Sequence, residues 1–421
     1  MVIMVRVNDA KDDNFDSKRK LLKFQIHTKC QSSLFSKAYG ETHYHGFYNL
    51  SMILLAGNIL RLIIENYRKY GIMAFWISSN RQASALSMTT AFPIIMLFLF
   101  VLLTSFVATY LTELIHFAVA LILCCSLFIF STMPFLLRSL KIDPGTSAFI
   151  LIITLIVLMK MLSLIDIVTT DPKMAKIHHQ SLSPFSLLRF VFLPTLCFQY
   201  SYPETGNARP IFLLKRMIEL ISSILLFDFL LKQYAIPATK NTIFELGDLK
   251  LVYLVERLLK LSIPCLLIWM TGFYAIFHSL FNITAELLHF GDRCFYQDWW
   301  NAQDLGEYWR LWNRPVYLWT KRHLLSNLQA KGYTKASCML IIFLISAFLH
   351  EYIIAFPTGI YHGWALIAML LQLPLIFISR LIKKKFSNRS IGNYLFWISF
   401  SILGHPMAVL LYYWSWRTIN K

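Results

Sequence analysis

Long uninterrupted apolar runs constrain this chain most. A helix needs about 20 apolar residues to cross the hydrocarbon core of a bilayer. Nine stretches approach that length: 46–64, 91–112, 114–137, 145–166, 212–236, 250–281, 336–355, 361–379 and 392–414. They are continuous and do not alternate with polar residues, which excludes the strands of a transmembrane barrel. The pattern predicts an all-α polytopic membrane protein with about nine transmembrane helices.

The charge content supports this class. Only 15% of the 421 residues are charged, against about 25% in soluble proteins. The formal net charge of +18 would suggest a nucleic-acid partner in a soluble protein. In a membrane protein it indicates the positive-inside rule and anionic headgroups. We therefore expect membrane lipids as partners, and no nucleic acid.

The distribution of Lys and Arg predicts the orientation. With a cytosolic N-terminus, segments 1–45, 167–216, 282–335 and 380–391 face the cytosol and carry 26 basic residues. The opposite side carries about eight. This bias predicts that the N-terminus is cytosolic and the C-terminus lumenal.

The chain divides into a polar cytosolic arm, 1–45, and a membrane domain, 46–416. Two long segments interrupt the spans. In 167–211, the apolar stretch 185–199 is too short to span and predicts an interfacial or re-entrant piece. Segment 282–335 is aromatic and basic, and its tryptophans are expected at the membrane boundary: Trp299, Trp300, Trp309, Trp312 and Trp319.

His350 is the first candidate for chemistry, because an ionisable group deep in an apolar run is costly and usually functional. Glu351 beside it is the other charged residue of that run. A neutral imidazole suits a general base. The alternatives are a structural histidine and a proton relay in a transporter. Ile354 stands where a HExxH zinc motif needs its second ligand, so we expect no metal there.

A second candidate is the stretch FYQDWWN: Phe295, Tyr296, Gln297, Asp298, Trp299, Trp300 and Asn301. The tryptophans alone would suit an interfacial belt. With Asn313, the polar residues Asp298 and Asn301 suggest caps of short helices and an ordered loop that holds a polar headgroup. The pairs His43/His45 and His178/His179 lack further ligands, so no metal site is expected there either.

These motifs resemble a known family. FYQDWWN at 295–301 resembles the FYxDWWN signature of the membrane-bound O-acyltransferases that esterify sterols and diacylglycerol. SAFLHEY at 346–352 resembles their active-site segment. Further segments are most similar to the type 1 diacylglycerol branch: RKYGI at 68–72, FLPTLCFQYSYP at 192–203, ERLLKLSIP at 256–264, AELLHFGDR at 285–293 and IGNYLFWISFSILGHPMAVLLYYW at 391–414.

The resemblance implies nine helices around an intramembrane reaction chamber in the endoplasmic reticulum. It implies transfer of a fatty acyl group from acyl-CoA to diacylglycerol, with no cofactor, by a homo-oligomer (a dimer or tetramer). A sterol or long-chain alcohol acceptor is the alternative within the family. A proton-coupled transporter and a catalytically dead scaffold are the alternatives outside the enzyme class.

The resemblance also assigns roles to residues. His350 matches the catalytic histidine, with Asn313 and Glu351 at the reaction centre. Residues in the acyl-CoA-contacting positions are Trp309, Trp312, Tyr317, Lys335 and Ser346. Met369, Gln372 and His405 match chamber positions. Independently of the resemblance, the charge of the basic residues on the predicted cytosolic side suits attraction of the CoA phosphates, with simple positive-inside bias as the alternative; these residues are Arg314, Lys321, Arg322 and Lys335.

Two positions depart from the family pattern. Tyr317 stands where animal members carry a histidine. His405 stands where the diacylglycerol enzymes carry a glutamine, so either His405 still forms a hydrogen bond in the chamber or the handling of the acceptor differs.

Overall fold

The computed structural model describes residues 29–36, 43–70, 91–110, 115–170, 183–236, 238–239, 251–385 and 389–419. Throughout this part of the chain the regular structure is helical, and β-pairing is limited to isolated bridges. The first helices are α1 His45–Tyr70, α2 Ala91–Tyr110, α3 Ile115–Ser139, α4 Pro144–Thr170, α5 Pro184–Phe192, α6 Pro210–Leu230, α7 Leu251–Phe273 and α8 Phe281–Leu287. The second half contains α9 Leu305–Leu311, α10 Arg314–Thr320, α11 Ser326–Ala330, α12 Lys335–Thr358, α13 Trp364–Leu370, α14 Gln372–Lys385, α15 Arg389–Ile398 and α16 His405–Ile419.

Six helices among the described residues are long and apolar enough to cross a membrane. They are Val119–Ser139, Pro144–Thr170, Val252–Leu287, Lys335–Thr358, Trp364–Lys385 and Ile391–Thr418. The other three predicted spans also fall on helices, α1, α2 and α6. In α6 the apolar run is interrupted by Lys215, Arg216, Glu219 and Asp228. The all-helical membrane fold is confirmed, and the number of nine spans stays a prediction.

Four π-helical stretches occur among the described helices. Leu231–Ala235 follows α6, Tyr274–Leu280 joins α7 to α8, Lys321–Leu325 follows α10, and Ser399–Gly404 joins α15 to α16. A π turn adds a residue to the helical turn, and such turns are frequent at functional sites. The first, second and fourth lie beside or lead into the cavity described below.

One buried charge near the start of α7 is paired with a residue of another helix. Glu256 is fully buried, and its carboxylate lies 3.0 Å from the guanidinium of Arg68 in α1. A buried carboxylate requires such a partner. This pairing compensates the charge of Glu256 within the predicted span 250–281.

The tryptophans of segment 282–335 do not form an exposed belt. Trp299 and Trp300 are fully buried in the main aromatic core, and Trp319 is also buried. Trp309 and Trp312 are partly buried against the same core. An interfacial belt would expose its rings to headgroups. These rings fill the interior, because segment 282–335 folds back into the helical bundle.

The interfacial piece is shorter than expected. Ser183 caps α5, which lasts only nine residues. Phe185 and Phe192 are exposed while Leu187 and Phe190 are buried, so the helix is amphipathic. The chain after it, 193–199, turns into the protein and is almost entirely buried.

Candidate active site

His350 lies near the middle of α12. That helix starts after Thr334, whose hydroxyl accepts a hydrogen bond from the Ser337 amide (3.2 Å). It ends at Gly359, whose positive φ of 70° suits glycine. These ends bound a 24-residue helix that is long and apolar enough to cross a membrane, and His350 is its sixteenth residue.

One hydrogen bond sets the tautomer of His350. Its Nδ1 lies 2.7 Å from the backbone oxygen of Ser346 and 3.4 Å from the Ser346 hydroxyl. A carbonyl oxygen only accepts, so Nδ1 carries the proton and Nε2 carries a lone pair. Within the described residues Nε2 has no hydrogen-bond partner. The imidazole therefore offers a proton acceptor from a half-buried position.

Glu351 is directed at the next helix. Its Oε1 accepts from the Gly363 amide (3.1 Å), and its Oε2 accepts from the amides of Ala365 (3.0 Å) and Leu366 (3.1 Å). The Tyr412 hydroxyl donates to the same Oε2 (3.3 Å). Glu351 thus binds the N-terminus of α13, which has no side-chain cap of its own. The geometry supports an anchoring role.

Asn313 is the N-cap of α10. Its Oδ1 accepts from the Val316 amide at 3.2 Å, and Pro315 occupies the first helical turn. Because Oδ1 is occupied in this way, the amide presents Nδ2 as a free donor. Within the described residues Nδ2 has no hydrogen-bond partner.

The residues expected to contact acyl-CoA fall into separate groups. Ser346 lies beside His350, as described. Trp309 contacts Trp312 (6.2 Å between ring centroids) and also Phe343 of α12 (5.9 Å). Tyr317 packs under the guanidinium of Arg314, with the Arg314 Cζ 5.3 Å from the ring centroid. Lys335 is exposed at the start of α12.

One of the expected phosphate-binding residues is unavailable. Arg322 is buried and its Nη1 donates to the backbone oxygen of Phe198 (2.9 Å). It holds segment 193–199, so its assignment to the CoA phosphates is wrong. Lys321 beside it remains exposed, as does Lys335.

A cavity of about 520 Å³ opens between α6, α7 and α16. Its lining is mostly aliphatic and aromatic, and it includes Trp269, Trp312 and His405. His405 Nδ1 lies 2.9 Å from the Phe400 carbonyl oxygen, so Nδ1 donates and Nε2 is left as an acceptor. The His405 ring lies against Phe400 (4.4 Å between centroids). This cavity suits an apolar chain with a hydrogen-bond donor.

The other two chamber residues lie on α13 and α14. Met369 is buried in the last turn of α13. Gln372 opens α14 and donates through Nε2 to the Ala368 backbone oxygen (3.3 Å). Neither lines the 520 Å³ cavity, so the structure does not bring them together with His405 there.

The FYQDWWN stretch holds the N-terminal region. Asn301 Oδ1 accepts from the Gly46 amide (2.6 Å), and Asn301 Nδ2 donates to the His43 backbone oxygen (2.6 Å). Trp300 Nε1 also donates to His43 O (3.3 Å). A Cβ on Gly46 would lie 1.6 Å from the Trp300 backbone oxygen, so this crossing requires glycine.

Residues 29–36 pack against the same FYQDWWN stretch. Phe35 stacks on Trp300 (5.5 Å between centroids, 9° between planes). The Asp298 carboxylate accepts from Asn301 Nδ2 (3.3 Å) and makes no helix cap. In this geometry Asp298 and Asn301 serve internal contacts. The expected headgroup-binding loop is therefore not formed by these two side chains.

The pairs of histidines do not form a metal site in the described residues. The His43 and His45 rings stack 6.2 Å apart, and no cluster of three His, Cys, Asp or Glu side chains able to hold a metal occurs in the described ranges. His178 and His179 lie outside those ranges.

Two buried histidine clusters escaped the sequence reasoning. His323 Nδ1 lies 2.7 Å from Asp166 Oδ2, and His323 Nε2 lies 2.8 Å from Ser163 Oγ. This order resembles a serine-hydrolase triad. However, Ser163 is fully buried, and its hydroxyl oxygen accepts a hydrogen bond from the Phe198 amide (2.8 Å). The cluster therefore holds segment 193–199 in place and has a structural role. The i, i+3 spacing of Ser163 and Asp166 on α4 was the available signal.

The second cluster joins α6 to the FYQDWWN stretch. Arg216 Nη1 donates to His278 Nε2, and the other ring nitrogen, Nδ1, lies 2.7 Å from the Tyr296 hydroxyl. All three residues are buried.

Sequence reasoning also missed Lys160 in α4, which is buried and donates to the backbone oxygens of Phe190 (2.9 Å) and Leu193 (2.7 Å). A charge inside an apolar run was its signal.

Comparison with known proteins identifies the family. The model of the membrane-bound O-acyltransferase family matches residues 72–414. The chain is 36% identical to diacylglycerol O-acyltransferase 1 of Corylus americana over 91% of this chain and 74% of that protein. It is 35% identical to diacylglycerol O-acyltransferase 1-2 of Oryza sativa subsp. japonica over 91% and 84%. It is 31% identical to diacylglycerol O-acyltransferase 1 of Dictyostelium discoideum over 90% of this chain and 64% of that protein. The chain belongs to the membrane-bound O-acyltransferase family.

Proposed function

We propose that this protein is an acyl-CoA:diacylglycerol O-acyltransferase that produces triacylglycerol and CoA. The observation that carries the proposal is the lone pair on His350 Nε2, fixed by the Nδ1–Ser346 hydrogen bond inside a membrane-spanning helix. The relatives that bear the name diacylglycerol O-acyltransferase 1 support the choice of substrates.

The reaction is direct acyl transfer. His350 Nε2 takes the proton from the free hydroxyl of diacylglycerol as that oxygen attacks the thioester carbonyl. The tetrahedral intermediate collapses with cleavage of the C–S bond. The CoA sulfur leaves as a thiolate and receives the proton from the His350 imidazolium. The ester and CoA–SH are formed, and the histidine returns to its neutral tautomer.

Asn313 suits the developing negative charge. Its Oδ1 is bound to the Val316 amide, so Nδ2 is the group available to donate to the carbonyl oxygen. A preorganised donor of this kind typically contributes about 10²–10³-fold to turnover. The side chain needs no reorganisation during the reaction, because the helix cap already fixes its orientation.

The cavity beside His405 suits one lipid chain. Its lining is almost entirely apolar, which favours a lipid chain over water there. His405 Nε2 is a hydrogen-bond acceptor on that lining, whereas His350 does not line the cavity. Because diacylglycerol has one free hydroxyl, which His350 must reach for the reaction, we assign the cavity and His405 to an acyl chain of the acceptor, with His350 as the base.

The test is a comparison of acceptors. Purified protein receives one labelled acyl-CoA with 1,2-diacylglycerol, cholesterol or a long-chain alcohol, and the labelled ester is measured. We expect diacylglycerol to be esterified far faster than cholesterol.

Three outcomes decide between the alternatives. Equal or inverted rates would move the protein to the sterol branch, and His405→Gln would then be the first variant to assay. Faster esterification of the alcohol would make it the acceptor. If no acceptor is esterified while a pH gradient across vesicles is dissipated, the protein is a transporter.

The location is part of the same proposal. The protein is a multi-pass membrane protein, and we place it in the endoplasmic reticulum as a homo-oligomer, with residues 46–416 as the catalytic domain. The basic-residue bias supports a cytosolic N-terminus and a lumenal C-terminus. Single cysteines at positions 384 and 421, in a background without the native cysteines, should react from opposite sides of sealed microsomes. Reaction of both from one side would contradict the orientation, and the mass of the purified particle measures the oligomer.

A further inference from the structure

A proline in α3 leaves one backbone oxygen without its normal partner. Pro134 has no N–H, so the Phe130 carbonyl, four residues earlier, receives no intrahelical hydrogen bond. Such a carbonyl is costly in a membrane interior unless a neighbouring group donates to it. The sequence therefore creates an acceptor on the side of a transmembrane helix.

Tyr352 of α12 supplies the missing hydrogen-bond donor. Its hydroxyl donates to the Phe130 oxygen at 2.5 Å. Its ring also stacks on the Phe130 ring, with 4.3 Å between centroids and 21° between planes. The side chain packs against the cluster that contains Met133 and Leu137. A directional hydrogen bond thus attaches α12 to α3 at one defined level.

Tyr352 follows His350 by two residues. Successive residues turn by about 100° on a helix, so these two side chains lie about 200° apart. Tyr352 therefore holds one side of α12 to α3 while the His350 imidazole faces the other way. Glu351, between them in rotation, is bound to the start of α13. Two directional attachments on adjacent residues restrict both rotation and sliding of the helix.

We propose that Tyr352 is a positioning residue for His350, acting through the carbonyl that Pro134 exposes. The proposal rests on the proposed function, in which His350 is the base. A shift of α12 by one residue moves the imidazole by about 1.5 Å. A misplacement of about 1 Å can reduce turnover about 10²-fold. The hydrogen bond at Phe130 is well placed to prevent such a shift.

The experiment separates the attachment from the stability it provides. Tyr352→Phe keeps the ring stack and removes the donor. Pro134→Ala restores an N–H to the Phe130 oxygen from within α3, but it makes no link to α12. The single variants and the double variant are purified, and kcat, KM for acyl-CoA and the thermal midpoint are measured with diacylglycerol as acceptor. Tyr361→Phe is the matched control, because its exposed hydroxyl contacts Arg138 and not the Phe130 carbonyl.

We expect Tyr352→Phe to lower the thermal midpoint and to reduce kcat about 10- to 100-fold with KM unchanged. The double variant should regain the midpoint, because the carbonyl is satisfied again, but it should not regain kcat. Tyr361→Phe should match the wild type. Recovery of kcat with the midpoint would make Tyr352 merely structural and overturn the proposal. An unchanged kcat in Tyr352→Phe would also overturn the proposal. This result is decisive even if Pro134→Ala does not fold.

Failure of the proposed function gives a different result. In that case the wild type makes no triacylglycerol, whereas the midpoints of the four variants still report whether the Tyr352 hydroxyl satisfies the carbonyl. A wild type that is active and a Tyr352→Phe variant with normal kcat would contradict the positioning role alone.

Discussion

His350→Gln is expected to reduce turnover at least about 10²-fold while the protein stays folded and continues to bind acyl-CoA. The glutamine amide can still donate to the Ser346 backbone oxygen, as the imidazole does now. It cannot accept a proton at neutral pH, so the proposed base is lost without the hydrogen bond that orients it. Steady-state acyl transfer to diacylglycerol measures the loss of turnover, and a separate binding measurement shows whether acyl-CoA is still bound.

His362→Gln is the matched control for this variant. His362 is an exposed histidine in the turn between α12 and α13, so the same change there should leave turnover and folding unaltered. Near-normal turnover in His350→Gln would contradict the mechanism and make His350 structural. His350→Ala adds a second measurement: aggregation of the alanine variant, with a folded but inactive glutamine variant, would show that the residue serves packing and catalysis together.

The helices that carry the site could be predicted from the apolar runs, but their ends could not. The predicted span 361–379 becomes Trp364–Lys385 in the structure. Its start is fixed by the Glu351 carboxylate, which comes from another helix. At its end, past the apolar run, Lys383 Nζ lies 3.1 Å from the buried Asp304 carboxylate, which also comes from another part of the chain. Neither cause is visible in a local window of sequence.

The burial of the tryptophans was beyond sequence reasoning for a similar reason. A belt at the interface and a buried aromatic core use the same residue types. The decision comes from a distant partner: Trp299 packs against Trp397 of α15, with 5.7 Å between ring centroids. Contacts across about a hundred positions of the chain leave no periodic signal. The same holds for Arg322, whose buried partner is the Phe198 carbonyl.

The candidate base, by contrast, could be found from sequence, because an ionisable residue in an apolar run is rare and conspicuous. What the sequence did not provide is the tautomer. This depends on the Ser346 carbonyl, one helical turn earlier, and on the rotamer that brings Nδ1 to it. The roles of Glu351 and Tyr352 likewise depend on which neighbouring helices α12 meets.

Glu351 is expected to matter most for stability. In Glu351→Ala, the amides of Gly363 and Leu366 lose the acceptor that the structure provides for them. The Ala365 amide keeps only the Tyr412 hydroxyl (2.9 Å). Gly363 and Leu366 are both half-buried, and each amide left without an acceptor costs about 1–3 kcal/mol, so the free energy of unfolding should fall by roughly 2 kcal/mol or more. The thermal midpoint and the monodisperse yield in detergent measure this loss.

Asp143→Ala is the matched control, because Asp143 is also a carboxylate at a helix start. Its Oδ2 accepts from the Thr146 amide (2.9 Å), but the residue is exposed and water can replace it. That change should cost about 1 kcal/mol. Equal stability of the two alanine variants would contradict the anchoring role of Glu351.

Glu351→Gln then distinguishes an anchoring role of Glu351 from a role in the reaction. It keeps one acceptor oxygen and places an NH₂ group where the other oxygen was, so an anchor should be weakened and turnover should fall together with stability. If this variant is as stable as the wild type but inactive, Glu351 acts in the reaction, and the cap of α13 is not its main role.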